Sequence, residues 1–185
     1  MAVLDVGCAD GQIGAILAEE GILEHVVGID FSETMLDRCR SSGRYTELLQ
    51  GDLNYGLPYA GAERFDLAVV CGVLEFVEDA ARILRELRSV LLPGGELWVT
   101  FEVPIDGTRP ELPPSEWKFG RTREEAVALV RGAGYSILSA EERVAYQAVA
   151  GVDIDVDFIF IRAALGDTPA SDVTPSIPTP AGSER

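Results

Sequence analysis

The stretch that decides the fold is Val3-Leu4-Asp5-Val6-Gly7-Cys8-Ala9-Asp10-Gly11-Gln12-Ile13-Gly14. Its apolar run ends on an acid and passes into a turn of small residues, which predicts a buried strand, a tight loop and a helix. Gly7 and Gly11 accept positive φ angles and have no side chain, so a ligand can approach the backbone closely there. The turn therefore predicts a nucleotide-type pocket.

Carboxylates in this stretch distinguish between the ligands that such a loop can bind. A dinucleotide places its pyrophosphate on the helix N-terminus, within a Gly-x-Gly-x-x-Gly turn. Read from Gly7, that pattern fails at Ala9 and Gln12; read from Ala9, it holds only if one alanine is accepted. Asp5 and Asp10 would repel a pyrophosphate lying within a few ångströms. The loop thus favours a ligand that lacks phosphate and carries positive charge.

This combination resembles the class I S-adenosylmethionine-dependent methyltransferases, whose first motif reads acid-x-Gly-x-Gly-x-Gly. The matching stretch is Asp5 to Gly11, and Ala9, which adds a methyl group near the methionine moiety, is its one departure. S-adenosylmethionine has a ribose diol, a sulfonium and an ammonium group, so it meets the charge requirement. A β-branched side chain at Gly11 is expected to fill the space of the methionine moiety. The resemblance implies cofactor contacts by Asp5, Gly7, Cys8 and Gly11.

The following strands continue the same pattern. The second strand ends on Asp30, 19 residues after Gly11 in the chain, where a carboxylate can accept both ribose hydroxyls. Phe31 would pack on the adenine, and Ser32 would cap the next helix. The resemblance makes Asp52, after the third strand, the acceptor for the adenine amine. Leu53 beside it and Cys71 at the end of the fourth strand complete the predicted cofactor site.

Strand and helix signals alternate over the first hundred residues, which predicts a doubly wound α/β sheet in a single domain. A helix is expected near 78–92, with an apolar stripe at helical spacing, followed by Leu92-Pro93-Gly94-Gly95 and a strand to Phe101. That last arrangement is a second signature of the resembled family. A capping box at Thr122–Glu125 predicts another helix, and 135–138 and 152–161 read as the final strands.

The resemblance covers about residues 2–163 and implies seven strands in the order 3-2-1-4-5-7-6, with an antiparallel strand at the edge. The predicted domain is therefore 1–165. Residues 166–185 are rich in Pro, Ser and Thr and predict a disordered tail. The resembled family's usual helical cover before the first strand is missing from this sequence, so we expect either that the natural chain starts further upstream or that the pocket is unusually open.

Composition narrows the function classes. Of the 185 residues, 15 are Lys or Arg and 31 are Asp or Glu, so the net charge is −16. A nucleic-acid substrate or an anionic lipid surface is therefore disfavoured. No apolar run is long enough to cross a bilayer and no leader is recognisable, so a cytoplasmic protein is expected. Cys8, Cys39 and Cys71 lack zinc-site spacing and predict reduced thiols, and no metal is expected.

Catalytic residues are not identifiable from the sequence. The single histidine, His25, precedes the second strand and so falls at the wrong end of the sheet. Phe76 stands where many members of the resembled family have histidine, and it predicts an apolar wall. Candidates on the correct face are Glu102, Asp106, Tyr55 and Tyr59, although a surface or packing role is favoured for each.

The long, aromatic Pro-rich segment 103–121 predicts a lid over a small, partly apolar acceptor. Acids at alternate positions of 153–157 could suggest a metal site, but the pattern fits a half-buried strand better. The function predicted is methyl transfer from S-adenosylmethionine to a small molecule. An NAD-dependent oxidoreductase and a catalytically inactive protein that binds a cofactor or partner remain the alternatives. No oligomeric state is predicted.

Overall fold

A computed structural model describes residues 1–21, 24–59, 64–103, 119–148 and 154–165. Its strands are β1 (Ala2–Val6), β2 (His25–Asp30), β3 (Glu47–Gln50), β4 (Phe65–Val70), β5 (Leu91–Glu102), β6 (Tyr135–Ala148) and β7 (Ile154–Leu165). They form one sheet in the order β3-β2-β1-β4-β5-β7-β6. The pairs from β3 to β5 are parallel, and β7 runs antiparallel to both β5 and β6. The predicted α/β fold and strand order are confirmed.

Helices cover both faces of the sheet. They are α1 (Gln12–Glu19), α2 (Glu33–Ser42), α3 (Ala80–Val90) and α4 (Arg123–Gly132), and short 3-10 helices occupy Leu53–Tyr55 and Leu74–Phe76. Leu17 of α1 packs with one set of alternating strand residues, whereas α3 and α4 pack on the opposite set in a larger core. The sheet therefore separates α1, which follows the glycine-rich loop at Gly7 to Gly11, from the main hydrophobic core.

Local sequence explains where the helices begin. The predicted stripe of α3 is buried throughout, and the Asp79 carboxylate accepts a hydrogen bond from the Arg82 N–H at 2.9 Å. The capping box of α4 is confirmed, because Thr122 and Glu125 each accept a hydrogen bond from the other's backbone N–H. Ser32 caps α2 as predicted, by accepting from the Met35 N–H.

The observed strands extend further than predicted at the antiparallel edge. We expected a short strand over 135–138, but β6 continues to Ala148 and shifts its register on β7 at two places. Its middle residues, Glu141 to Val144, are all exposed, so an edge strand here lacks the apolar alternation that sequence patterns detect. The strand β5 also begins earlier than predicted, at Leu91. Its Pro-Gly-Gly segment forms a bulge beside β4.

Several predicted features lie outside the described residues. These are residues 104–118 of the expected lid, including Asp106, the position Asp153, and the tail 166–185. Within the described ranges, no helix is long and apolar enough to cross a membrane. The same ranges contain no cluster of His, Cys, Asp or Glu suited to hold a metal ion.

Candidate functional site

A cavity of about 550 Å³ opens where the carboxyl ends of β1, β2, β3 and β4 meet. This is the position at which open α/β sheets bind ligands, because the loops that follow parallel strands converge there. Five of the predicted cofactor residues line it, namely Gly7, Asp30, Phe31, Asp52 and Leu53. The other four, Asp5, Cys8, Gly11 and Cys71, are not among the described residues that line it.

The loop between β1 and α1 has an unusual backbone conformation. Gly7, Ala9 and Gly11 have φ angles of 76°, 45° and 87°. Ala9 is the only non-glycine residue with positive φ in the described part of the chain. It therefore adopts a backbone conformation that favours glycine. The N–H groups of Gly7 and Cys8 both donate to the Ile29 carbonyl, at 2.7 and 2.9 Å. These bonds hold the loop against the end of β2.

Glycine is required at position 7 by close packing. A Cβ atom there would lie 2.0 Å from Cγ2 of Val73, the residue that precedes the second 3-10 helix. At Gly11 the expected reason for glycine, space for the methionine moiety of the cofactor, is wrong. Its Cβ would meet Tyr45 and Cys39, 3.2 and 3.3 Å away, rather than enter the cavity. Gly11 is needed for its positive φ and for these neighbours.

The Asp30 carboxylate lines the cavity and is oriented by two backbone N–H groups. Its Oδ2 accepts from the Ala9 N–H and its Oδ1 from the Ser32 N–H, both at 2.9 Å. The residue is only 8% exposed, so these bonds keep an acid ordered at the end of β2. A carboxylate has about four acceptor positions, so each oxygen can accept a further hydrogen bond from a ligand.

Asp52 and Asn54 connect the two sides of the cavity. Asp52 Oδ1 accepts from the Asn54 N–H at 2.8 Å and from its side-chain amide at 3.1 Å. The same amide group donates to the Phe76 carbonyl, and Asn54 Oδ1 accepts from the Glu78 N–H at 3.0 Å. Sequence reasoning missed Asn54, although Asp-x-Asn before Gly56 is a typical turn signal.

Asp5 lies beneath the loop instead of lining the cavity. It is 1% exposed, and its Oδ2 accepts from the Tyr45 hydroxyl at 2.6 Å. Burial raises the pKa of Asp5 to about 6; the Tyr45 hydrogen bond opposes this rise, and the nearby Asp30 charge adds to it. Tyr45 was not predicted, because 40 residues separate it from Asp5 in the chain.

The three cysteines are free thiols close to the same loop. The Cys39 sulfur lies 3.8 Å from the Cys8 sulfur, and the Cys39 thiol donates to the Ala9 carbonyl at 3.0 Å. Burial raises the pKa of Cys8 and Cys39, and it raises the pKa of Cys71 to about 12. All three are therefore protonated near neutral pH, which makes them poor nucleophiles.

The other candidate residues differ in their placement. Phe76 lines the cavity as predicted, whereas Tyr55 is 89% exposed and Glu102 is buried at the end of β5. Tyr59 is not on the expected side, because its ring contacts Phe65 at the amino end of β4, with the ring centroids 5.1 Å apart. His25 stacks on the same Phe65 ring, so its predicted distance from the site is confirmed.

A second cleft, of about 440 Å³, lies on the face of β5, β7 and β6. Trp98 and Phe160 line it together with Arg162, which is paired with Glu96 at 3.0 Å. Its lining residues lie along the strands instead of at their carboxyl ends, so it lacks the converging loops of the first cavity. The cavity at the ends of β1 to β4 is therefore the candidate functional site.

Comparisons with known proteins identify the family of this chain. The family described as "Methyltransferase domain" matches residues 4–99. A ubiquinone biosynthesis O-methyltransferase of Coxiella burnetii is 33% identical over 101 residues, which are 52% of this chain and 41% of that protein. A demethylmenaquinone methyltransferase of Listeria monocytogenes is 36% identical over 121 residues, 63% of this chain and 48% of that protein. The chain thus spans less than half the length of these relatives.

Solved structures show the same fold. An S-adenosylmethionine-dependent methyltransferase from Mesorhizobium loti superposes with a TM-score of 0.68 at 26% identity, covering 88% of this chain and 90% of that one. The N-methyltransferase NodS from Bradyrhizobium japonicum, in complex with S-adenosyl-L-homocysteine, has a TM-score of 0.64 at 19% identity and covers 89% and 77%. Since the family match spans just over half of its residues and the strand order is the one predicted, the chain belongs to the methyltransferase domain family.

Proposed function

We propose that the chain is an S-adenosylmethionine-dependent methyltransferase that acts on a small, largely apolar molecule. The observation that carries the proposal is the Asp30 carboxylate, which lines the cavity with both oxygens oriented by backbone N–H groups. A carboxylate held in this way suits two adjacent hydroxyl groups such as a ribose diol. Its position at the end of the second strand is the usual one for ribose recognition.

The charges around the cavity favour a cationic ligand. Asp30 and Asp52 line it and Asp5 lies beneath the loop, while the described lining residues include no lysine or arginine. A pyrophosphate would therefore meet carboxylates without a compensating side chain. A sulfonium and an ammonium group would instead be attracted. This difference supports S-adenosylmethionine over NAD.

The residues present fit the parts of this cofactor. Asp30 would hold the ribose, and Asp52, Leu53 and Phe31 would surround the adenine. The open backbone at Gly7 and Ala9 would receive the methionine moiety, because no side chain longer than a methyl group projects from these two residues. Asp5, Cys8 and Gly11 would support this loop from beneath, and Cys71 would do so from the end of β4.

When bound, S-adenosylmethionine supplies a methyl group on a positively charged sulfur, which is an activated leaving group. The task left to the protein is to orient the acceptor in line with that bond and to exclude water. Val73, Phe76 and Val77 give the cavity an apolar wall suited to both tasks. The described lining residues contain no histidine, lysine, cysteine or tyrosine, so we assign these residues positioning and desolvation instead of proton transfer.

Two observations support a small acceptor with apolar parts. The first is this apolar wall of the cavity, in which the Phe76 side chain is 48% exposed. The second is that the curated relatives are named for ubiquinone biosynthesis and demethylmenaquinone methylation. We therefore extend the proposal to a ring-containing acceptor of moderate size.

Calorimetric titrations with S-adenosylmethionine, S-adenosylhomocysteine and NAD test the cofactor assignment. We expect both sulfur compounds to bind and NAD to show no heat of binding. Binding of NAD alone would contradict the proposal and favour an oxidoreductase. Turnover is then measured as S-adenosylhomocysteine formed with a panel of small phenols and quinols. Cofactor binding without product from any acceptor would favour a catalytically inactive binding protein.

A further inference from the structure

Tyr45 occupies a space that three glycines leave open. It lies between α2 and β3, outside the predicted site, and no sequence motif marks it. Cβ atoms built on Gly14 and Gly28 would each come within 2.8 Å of Tyr45, and one on Gly11 would come within 3.2 Å. These glycines belong to α1, β2 and the loop before α1. Any larger residue at these positions would displace the tyrosine ring.

The Tyr45 hydroxyl joins the two ends of the glycine-rich loop. It donates to Asp5 Oδ2 at 2.6 Å and accepts from the Gly14 N–H at 3.2 Å. Asp5 belongs to β1 before the loop, and Gly14 belongs to the first turn of α1 after it. A single hydroxyl group therefore connects the segments between which the loop runs.

This contact also replaces a helix cap. The first N–H groups of a helix have no acceptor within the helix, and a side chain of the N-cap residue usually supplies one. The N-cap of α1 is Gly11, which has no side chain, and no side-chain capping bond is formed there. Tyr45 provides an acceptor for the third residue of the helix from a distant part of the chain.

From this geometry we propose that Tyr45 is a positioning residue for the cofactor loop. Its hydroxyl holds Asp5 beneath the loop and fixes the start of α1, which sets the conformation in which Gly7 and Ala9 line the cavity. The inference rests on the proposed function only in naming S-adenosylmethionine as the ligand of that loop. Tyr45 itself does not line the cavity, so it acts through the loop.

Loss of the hydroxyl should change the pH dependence of binding as well as its strength. The other titratable groups that face Asp5 are Asp30 of β2, Cys8 of the loop, Cys39 of α2 and Cys71 of β4. None of these supplies a positive charge. The Tyr45 hydrogen bond lowers the pKa of Asp5, so its removal allows the pKa to rise further. Asp5 would then lose its charge at higher pH, which weakens attraction for the sulfonium.

The test compares Tyr45→Phe with a matched control, Tyr135→Phe. Tyr135 is buried in the main core and donates to the Leu84 carbonyl at 3.0 Å, so this control also loses one buried hydroxyl hydrogen bond. Affinity for S-adenosylmethionine is measured by calorimetry between about pH 4.5 and 8.5, a range that brackets the charge change of Asp5. Amide hydrogen exchange of Gly7 to Gly14 is measured without ligand.

For Tyr45→Phe we expect roughly five- to tenfold weaker binding near neutral pH, the usual loss for one hydrogen bond. The midpoint of its pH profile should move to higher pH, and the loop amides should exchange faster. Tyr135→Phe should show none of these changes. Asp5→Leu removes the same hydrogen bond by deleting its acceptor, and it should also accelerate hydrogen exchange of the loop amides.

Unchanged affinity, pH midpoint and loop exchange in Tyr45→Phe would overturn the inference and leave the residue a packing role. A wild-type protein that fails to bind S-adenosylmethionine would instead refute the proposed function. The exchange rates would still decide whether Tyr45 positions the loop, because they require no ligand. Should Tyr45→Phe not fold, slow loop exchange in Asp5→Leu would contradict the inference by itself.

Discussion

Three acids in the two halves of the sheet lie in different environments, Asp5 and Asp30 in one half and Glu96 in the other. In the half formed by β3, β2, β1 and β4, Asp5 and Asp30 are buried and are held by a hydroxyl and by backbone N–H groups. In the antiparallel half formed by β5, β7 and β6, Glu96 is paired with Arg162 and accepts from the Trp98 ring N–H. Neither Asp5 nor Asp30 forms an ion pair with a cation in the described part of the chain.

We interpret this difference as one between an acid that stabilises the fold and acids whose charge serves the proposed ligand. Burial of an uncompensated carboxylate costs free energy, which a protein avoids by pairing the charge or raising its pKa. The parallel half retains that cost at Asp5, whose pKa is raised to about 6. In the antiparallel half, Glu96 is instead paired with Arg162 at the surface. The contrast supports our proposal that the loop binds a cationic ligand.

The largest effect is expected for Asp30→Ala. It removes the charge-assisted hydrogen bonds proposed for the ribose, worth about 1.5–3 kcal/mol, so cofactor affinity should fall roughly ten- to a hundredfold. The measurement is calorimetric titration with S-adenosylhomocysteine. Asp66→Ala is the matched control, because Asp66 accepts from the Ala2 N–H at 2.7 Å at the opposite end of the sheet. Equal affinities of the two folded variants would refute the role of Asp30.

Asp5→Asn tests the cost of the buried charge. The pKa of Asp5 rises from 3.8 to about 6 on folding, so the folded protein holds its proton where the unfolded chain has lost it. The cost therefore grows between these pH values, stays constant above about 6, and vanishes at low pH. Asn avoids it and can still accept from Tyr45. In urea unfolding, the free energy of unfolding of the variant should be higher than that of the wild type by about 2 to 3 kcal/mol at about pH 8, and this gain should shrink toward about pH 5.

If the gain from Asp5→Asn did not depend on pH, the buried charge would not be its source. Asp66→Asn serves as the control, since Asp66 lies at the other end of the sheet and is partly exposed. We expect no comparable gain for it. A stabilised Asp5→Asn protein that binds S-adenosylmethionine less tightly would show directly that the loop exchanges stability for attraction to a cation.

A smaller effect is expected for Ala9→Gly. Positive φ costs an L-residue roughly 1 kcal/mol, and the greater flexibility of unfolded glycine offsets part of the gain. The variant should therefore be more stable by less than about 1 kcal/mol in urea unfolding. Ala15→Gly, inside α1, should lose about 1 kcal/mol instead. Equal losses in both variants would show that Ala9 is not strained.

The smallest effect is expected in the antiparallel half, for Glu96→Gln. The Glu96–Arg162 pair lies at the surface and is partly exposed, and such pairs contribute less than about 1 kcal/mol. The loss should decrease further at high salt, because exposed charges are screened. Unfolding free energies at low and high salt measure both points. A loss as large as the change expected for Asp5→Asn would remove the contrast between the two halves.

Prediction from the sequence succeeded where the signal is contiguous. The loop at Gly7, the acid at Asp30 and the capping box at Thr122 each depend on a few adjacent residues, and all three occur where expected. The edge strand β6 was underestimated because its exposed polar residues carry no alternation. Tyr45 was missed because its contacts join segments distant in the chain.

The sequence by itself determined the architecture and the position of the cavity at the strand ends. Strand ends, glycines and caps are short-range choices, and together they fix which loops follow parallel strands and meet at one edge. Only the tertiary structure decided what each acid does. Asp5 and Asp30 are both acids at strand ends. Asp5, however, lies beneath the loop and accepts a hydrogen bond from Tyr45, whereas Asp30 lines the cavity. That distinction depends on packing between distant segments, which local sequence patterns do not encode.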